Sequence, residues 1–246
     1  DYENKKEAVI GSGATAVTLI PEIAKKASHV TMIQRSPTYI ASAPSKYKIL
    51  HLLNYISPKL GYKIIRFTNI LRQRRIYRRA RRSPELVKNY LLDLVRDELP
   101  GFDIEKHFTP SYNPWEQRLC LAPDSDFFES IKQKRVSIET ETIDSFSEKG
   151  VQLDSGKLIE ADIIVTATGI KLQNFGGIRI FVDENEIDIS KSFIYKSMMY
   201  TQIPNFINTF GYINASWTLK ADLTSKYACR LINFMDDNNY AKCLPE

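Results

Sequence analysis

Close to its start the sequence reads AVIGSGATAV, in which Gly11, Ser12, Gly13, Ala14, Thr15 and Ala16 fit the spacing G-x-G-x-x-A. Glycines at those two places do chemical work only if a strand precedes them and a helix follows. Here an apolar run, Ala8 to Ile10, leads in, and a helical pattern over Ala14 to Ala27 leads out. In that setting Gly11 permits a tight turn, Gly13 lets the backbone approach a pyrophosphate, and small Ala16 lets the helix pack closely on the strand. The helix start adds free N–H groups and a partial positive charge for the phosphates. A second apolar run, His29 to Gln34, ends in Arg35 and Ser36. An NAD site usually carries a carboxylate at that point for the ribose 2′-hydroxyl. A guanidinium fork and a hydroxyl suit a 2′-phosphate instead, so NADPH is expected over NADH. The plainer alternatives are a glycine turn that only tightens packing and an arginine that ends a strand in solvent.

These residues need a frame to hold them. Strand, helix and strand over residues 8–34 make a compact βαβ unit, and the fold class expected is α/β with a Rossmann-like dinucleotide-binding domain. Glu7 is an awkward neighbour for a central strand. From Ser45 to about Leu99 the pattern turns helical and basic, interrupted by Pro58, Gly61 and Pro84, which predicts two or three helices inserted into the sheet domain. Residues 100–123 are rich in Pro, Asn and aromatics and read as an ordered loop lining a site. A strand meander follows, with runs at 137–142, 143–147, 150–153 and 162–167. The tail alternates short strands and closes with a helix over about Ser216 to Asp236. Within that helix Leu219, Leu223, Tyr227, Leu231 and Met235 line one apolar face.

Composition narrows the function classes. The 246 residues are 43% hydrophobic and 26% charged, which suits a folded globular protein rather than a disordered one. No apolar run approaches the roughly 20 residues that span a bilayer, and the start does not read as a signal peptide, so a cytoplasmic protein is expected. Cys120, Cys229 and Cys243 are odd in number and lie far from His29, His51 and His107, which argues against a disulfide framework or a zinc site. Much of the formal net charge of +5 comes from Lys63 to Arg82, where nine cations interleave with Ile64, Phe67, Ile70 and other apolar residues. Such a run serves as a solvated helix face or as a contact for an anionic membrane or RNA. No aromatic platform for single strands accompanies it, so nucleic acid is set aside and a peripheral membrane contact is kept.

The segments IGSGATA, QRSPTYI, HFTPSYNPWEQRLC, GVQLDSGKLIEADIIVTATG and GYINASWTLKADL, taken in order, resemble the flavin-containing monooxygenases of the Baeyer–Villiger type, closest to the ethionamide-activating monooxygenases. The likeness runs across most of the chain and is weakest over Ser45 to Arg82. It implies one dinucleotide domain for FAD and one for NADPH. In that chemistry NADPH reduces the flavin, and O₂ then gives a flavin peroxide that attacks a ketone carbonyl or oxidises a sulfur atom. The earlier G-x-G-x-x-G for FAD and the histidine-containing fingerprint of the family are not in this sequence. A fragment is therefore expected: an NADPH-binding domain over residues 1–142, with the helical insertion at about 45–99, and the C-terminal portion of the FAD-binding domain over 143–246.

The resemblance also implies roles. Arg118 matches the arginine that sits over the flavin, where a fixed cation stabilises negative oxygen in the peroxide and the adduct. Thr168 and Gly169 end the stretch DIIVTATG, which resembles a strand that stops beside FAD. Asn214, with Ala215 and Ser216, precedes the last helix, whose start would face the anionic end of reduced flavin, and Trp217 is either near the ring or a core aromatic. Two rival functions stay open. One is a non-catalytic NADP-binding module. The other is an NADP-dependent dehydrogenase, suggested by Tyr55 and Lys59 at Tyr-x-x-x-Lys spacing and weakened by Pro58 between them.

Overall fold

The computed structural model describes residues 1–46, 57–117, 119–212 and 217–246. They fall into two compact units, Asp1–Ile170 and Lys171–Glu246.

In the first unit β1 (Lys6–Ile10), α1 (Ala14–Ile23) and β2 (His29–Gln34) form the expected βαβ motif. With β5 (Val136–Thr140) and β9 (Ile163–Thr166) the two strands make a four-stranded sheet in the order β5-β2-β1-β9, parallel throughout. Strands of a parallel sheet are covered on both faces, and the side chains divide accordingly. On one face Val9, Val30 and Val136 pack against Ala16, Val17 and Ile20 of α1, and against Phe127, Phe128 and Ile131 of α5 (Asp126–Lys132). On the other, Ala8 and Ile33 meet Val151, Leu153 and Ile159 of an antiparallel meander. That meander is β6 (Ile143–Ser147), β7 (Gly150–Leu153) and β8 (Leu158–Glu160).

Two long helices sit between β3 (Tyr39–Ala43) and β4 (Leu119–Pro123), which pair in parallel. They are α2 (Pro58–Arg82) and α3 (Pro84–Glu98), each beginning with proline at a first-turn position, where the missing N–H costs nothing. Gly61 does not break α2. Val87 and Leu91 of α3 and Ala80 of α2 pack on Tyr39 and Ala41. Residues 100–123 depart from the expected loop. Asp103 accepts a hydrogen bond from the Lys106 N–H and caps the short helix α4 (Ile104–Phe108), and the segment ends as β4.

The units divide after Ile170 and not after residue 142. The meander covers the parallel sheet, and β9 pairs along β1 from Glu7↔Ile163 to Ile10↔Thr166, so residues 143–170 are part of the first unit. Glu7 is 2% exposed in β1, and its Oε1 has no partner among the described residues. Burial raises the pKa of its carboxyl.

The second unit contains two small hairpins, β10 (Phe181–Val182) with β11 (Asn185–Glu186) and β12 (Ile194–Tyr195) with β13 (Met199–Tyr200), and the helix α6 (Trp217–Asp237). Phe175, Tyr200 and Phe206 cluster edge to face or tilted. The apolar stripe of α6 is only partly covered: Leu223 is exposed, and Thr224 is the helix residue that is buried. No helix among the described residues is long and apolar enough to cross a membrane.

Candidate functional site

The C-terminal ends of β1, β2 and β9 meet at one edge of the parallel sheet, where ligands of open α/β sheets bind. The glycine turn occupies that edge. Gly11 has φ +125°, and a Cβ there would stand 2.5 Å from the Ala167 carbonyl oxygen, so both backbone angle and space exclude a side chain. The turn is fixed on two sides: the Gly11 N–H donates to the Ile33 carbonyl (2.8 Å), and the Ala167 N–H donates to the Ile10 carbonyl (2.7 Å). Gly13 differs. It is the N-cap of α1, no side chain caps the helix, and a Cβ on Gly13 would enter open space. That space lies over the first N–H groups of α1, whose first turn holds no acidic residue. A phosphate fits there on charge and on room. Ala16 is fully buried against the sheet, while Ala14 and Thr15 are exposed.

Ser12 joins the turn to the second strand. Its hydroxyl donates to the Ser36 carbonyl (3.2 Å) and lies 3.0 Å from Thr38 Oγ1. Cys120 Sγ lies 4.0 Å from the Ser12 carbonyl, which brings β4 against the same loop. Arg35 and Ser36 are exposed at the end of β2. Thr168 and Gly169 follow β9, next to the Ala167 carbonyl that Gly11 approaches. Gly169 has φ +115° and open space around it. The glycine turn, Arg35 with Ser36, and Thr168 with Gly169 thus share one sheet edge.

Gln34 is a participant that sequence reading missed. It is buried, and its Nε2 donates to the His107 carbonyl and to Thr140 Oγ1, both at 2.8 Å. His107 Nδ1 is also 2.8 Å from Thr140 Oγ1, and burial holds its imidazole below the usual pKa. This network fixes the end of β2 immediately before Arg35. The signal for it was a polar residue closing an otherwise apolar run. An acid does stand close in the fold: the Glu141 N–H donates to the Gln34 carbonyl (2.9 Å). Its carboxylate accepts from the Ser155 hydroxyl and from the Ser155 N–H, which together lower its pKa.

Trp217 belongs to the second unit, where it stacks at a tilt on Phe210 with centroids 5.0 Å apart and packs on Gly211, leaving no room there for a Cβ. Arg118, Asn214, Ala215, Ser216 and Tyr55 lie outside the described residues.

A glycine turn, a bare helix start and a basic second-strand end define a Rossmann-like dinucleotide unit. No family profile matches the chain. Curated relatives do. The chain is 49% identical over 243 residues to FAD-containing monooxygenase EthA of Mycobacterium tuberculosis, covering 98% of the chain and 50% of that protein. It is 48% identical over 248 residues to probable FAD-binding monooxygenase AlmA of Acinetobacter baylyi, covering 100% and 50%. Among solved structures, the OTEMO complex with FAD and NADP superposes with a TM-score of 0.73 at 18% identity, covering 100% of the chain and 54% of that structure. Oxidized steroid monooxygenase bound to NADP gives 0.74 at 16%, covering 97% and 54%. The chain is a homologue of the FAD-containing monooxygenases and has the fold of the Baeyer–Villiger type. It spans about half the length of the curated relatives it matches.

Proposed function

We propose that the chain is the NADPH-binding part of an FAD- and NADPH-dependent monooxygenase that uses O₂ to oxygenate a small ketone or a sulfur compound. One observation carries the reading: the cradle of Gly11 and Gly13 and the cation of Arg35 stand at one sheet edge, with the nearby Glu141 carboxylate engaged elsewhere. Such an edge suits a pyrophosphate and a 2′-phosphate held together. Gly13 and the α1 start would hold the pyrophosphate, Arg35 and Ser36 the 2′-phosphate, and Thr168 and Gly169 would border the same crevice. When bound, NADPH supplies a hydride. Ser12 and Gln34 would keep the two phosphate sites at a fixed separation.

FAD does not fit this chain alone, because the sequence carries no second glycine fingerprint to hold it. The domain reading is therefore an NADPH domain over the first unit, in place of residues 1–142, and a contribution to FAD binding from the remainder, including Asn214 and Trp217. Arg118 keeps the role of a cation beside the flavin that the family likeness gives it. The protein would be cytoplasmic, with α2 in peripheral contact with a membrane. Titration of the 246-residue chain with NADPH and NADH tests the reading. Tighter NADPH binding by a colourless preparation is expected. Equal affinity for the two nucleotides would overturn the assignment of Arg35, and stoichiometric FAD in the purified chain would overturn the division of labour.

A further inference from the structure

Helix α2 is 25 residues long, and its buried residues are Gly61 and Ala80. Along the i+3/i+4 ladder of one face stand Leu60, Ile64, Phe67 and Leu71, followed by Arg75, Arg78 and Arg82. Leu60 is 52% exposed, Ile64 39% and Phe67 63%, and the three arginines are exposed. The face is thus divided along its length, apolar toward the N-terminus and cationic toward the C-terminus. Charge along the surrounding sequence is one-sided as well. No Asp or Glu occurs between Glu22 and Glu85, an interval with fifteen Lys and Arg, so all 29 acidic residues lie elsewhere.

We infer that α2 docks on an anionic lipid bilayer at a tilt, with Phe67 and its apolar neighbours inserted among the acyl chains and Arg75, Arg78 and Arg82 on the lipid phosphates. This deepens the peripheral contact of the proposed function and rests on it. A helix lying flat needs apolar and charged residues on opposite faces; here they share one face, and tilting satisfies both. Leu60 to Leu71 spans about 16 Å of helix axis. Insertion of roughly 5–10 Å over that length corresponds to a tilt of about 20–40°. Nucleic acid would use the arginines and leave Phe67 and Leu60 in water, so it suits this face less well. The arginines also sit in the C-terminal half of the helix, and Arg82 shares its last turn with Arg79 and Arg81, where the helix dipole adds negative charge. Their mutual repulsion is relieved by phosphates.

Sedimentation of the 246-residue chain with phosphatidylcholine vesicles containing 30% phosphatidylglycerol, run beside pure phosphatidylcholine vesicles and single-stranded RNA, tests the inference. Salt-sensitive binding to the anionic vesicles is expected. Arg75→Glu/Arg78→Glu/Arg82→Glu should weaken it by about 100-fold or more, and the corresponding Lys variant should stay within a few-fold. Phe67→Trp should show a blue-shifted emission component on vesicles, and Tyr77→Trp should not. Binding to RNA in preference to vesicles, equal binding to neutral vesicles, equal shifts at the two tryptophan positions, or concentration-dependent dimerisation lost in Phe67→Ser would each overturn the tilted lipid contact. NADPH titration of the same variants reads the nucleotide site independently. Unchanged NADPH affinity beside absent vesicle binding would count against the membrane contact alone.

Discussion

The β1–α1–β2 motif and helix α2 belong to the same unit and follow opposite rules. In the motif Val9, Ala16, Val17, Ile20 and Val30 are fully buried, and the glycine turn is fixed by contacts from strands on both sides. In α2, all but two of the 25 residues are exposed or half-buried. The motif is defined by what it packs against, so its geometry is stiff enough to place the two proposed phosphate sites. The helix is defined by what it leaves uncovered, so its meaning lies in composition along a face. Stability should therefore be concentrated at the sheet edge, and surface behaviour in the helix.

The comparison breaks first at Gly11. Gly11→Val puts a β-branched residue at positive φ and drives a Cβ into a backbone carbonyl, and it should cost about 4 kcal/mol in urea unfolding, together with loss of NADPH binding. Gly13→Ala meets nothing in the protein, so it should leave unfolding nearly unchanged while weakening the nucleotide. Equal unfolding costs at the two glycines would remove the distinction between frame and cradle. Next in size is Arg35→Ala, which should narrow the NADPH-over-NADH preference by about tenfold, since a charge-assisted pair contributes about 1.5–3 kcal/mol. NADH affinity should not move in that titration.

Glu7→Gln comes third, with a stabilisation of about 1 kcal/mol at neutral pH. The direction in pH follows from the raised pKa. The unfolded carboxyl ionises first, so the native protein loses stability as pH rises from the ordinary glutamate value up to its raised folded value. The advantage of the glutamine variant should grow over that interval and vanish below it, which thermal melts across the range would show. A variant with a flat advantage would mean that the carboxyl does not titrate with folding. The smallest effect belongs to α2: Phe67→Ser should change thermal stability by less than about 0.5 kcal/mol, because the ring is exposed. A larger loss would mean that α2 is packed after all.

The sequence made the first region readable and the second only in part. β2 spans His29–Gln34 as expected because its apolar run is bounded by polar residues. Helix α1 ends earlier than its pattern suggested. Beyond Ile23 the Lys25 and Lys26 N–H groups turn to carbonyls three residues back, which tightens the last turn to Ala27. Helix α4 was missed because five residues carry no period; only the Asp103 cap announced it. β4 was missed because its partner β3 is about eighty residues away, and no local signal reports such a pairing. The same holds for Gln34, whose two acceptors come from residues 107 and 140. The glycine turn was legible because glycines state their own backbone demand. The contribution of β9 to that turn was not, since it depends on which sheet the strand joins.

The approach of Ala167 to Gly11 also sets an order of events. β1 pairs with β2 after a short helical crossover, but its bonds to β9 close a sequence separation of 156 residues. Loop-closure entropy makes the second pairing the later one. On a ribosome the proposed phosphate cradle stays unfinished until about two-thirds of this sequence has emerged, and the nucleotide has no complete site to bind before then. Pulse-labelled hydrogen exchange during refolding should find the Ala167 amide protected after the β1–β2 amides, with NADPH accelerating neither. Nucleotide capture would then be the closing act of assembly, and a nascent chain halted before β9 should ignore NADPH altogether.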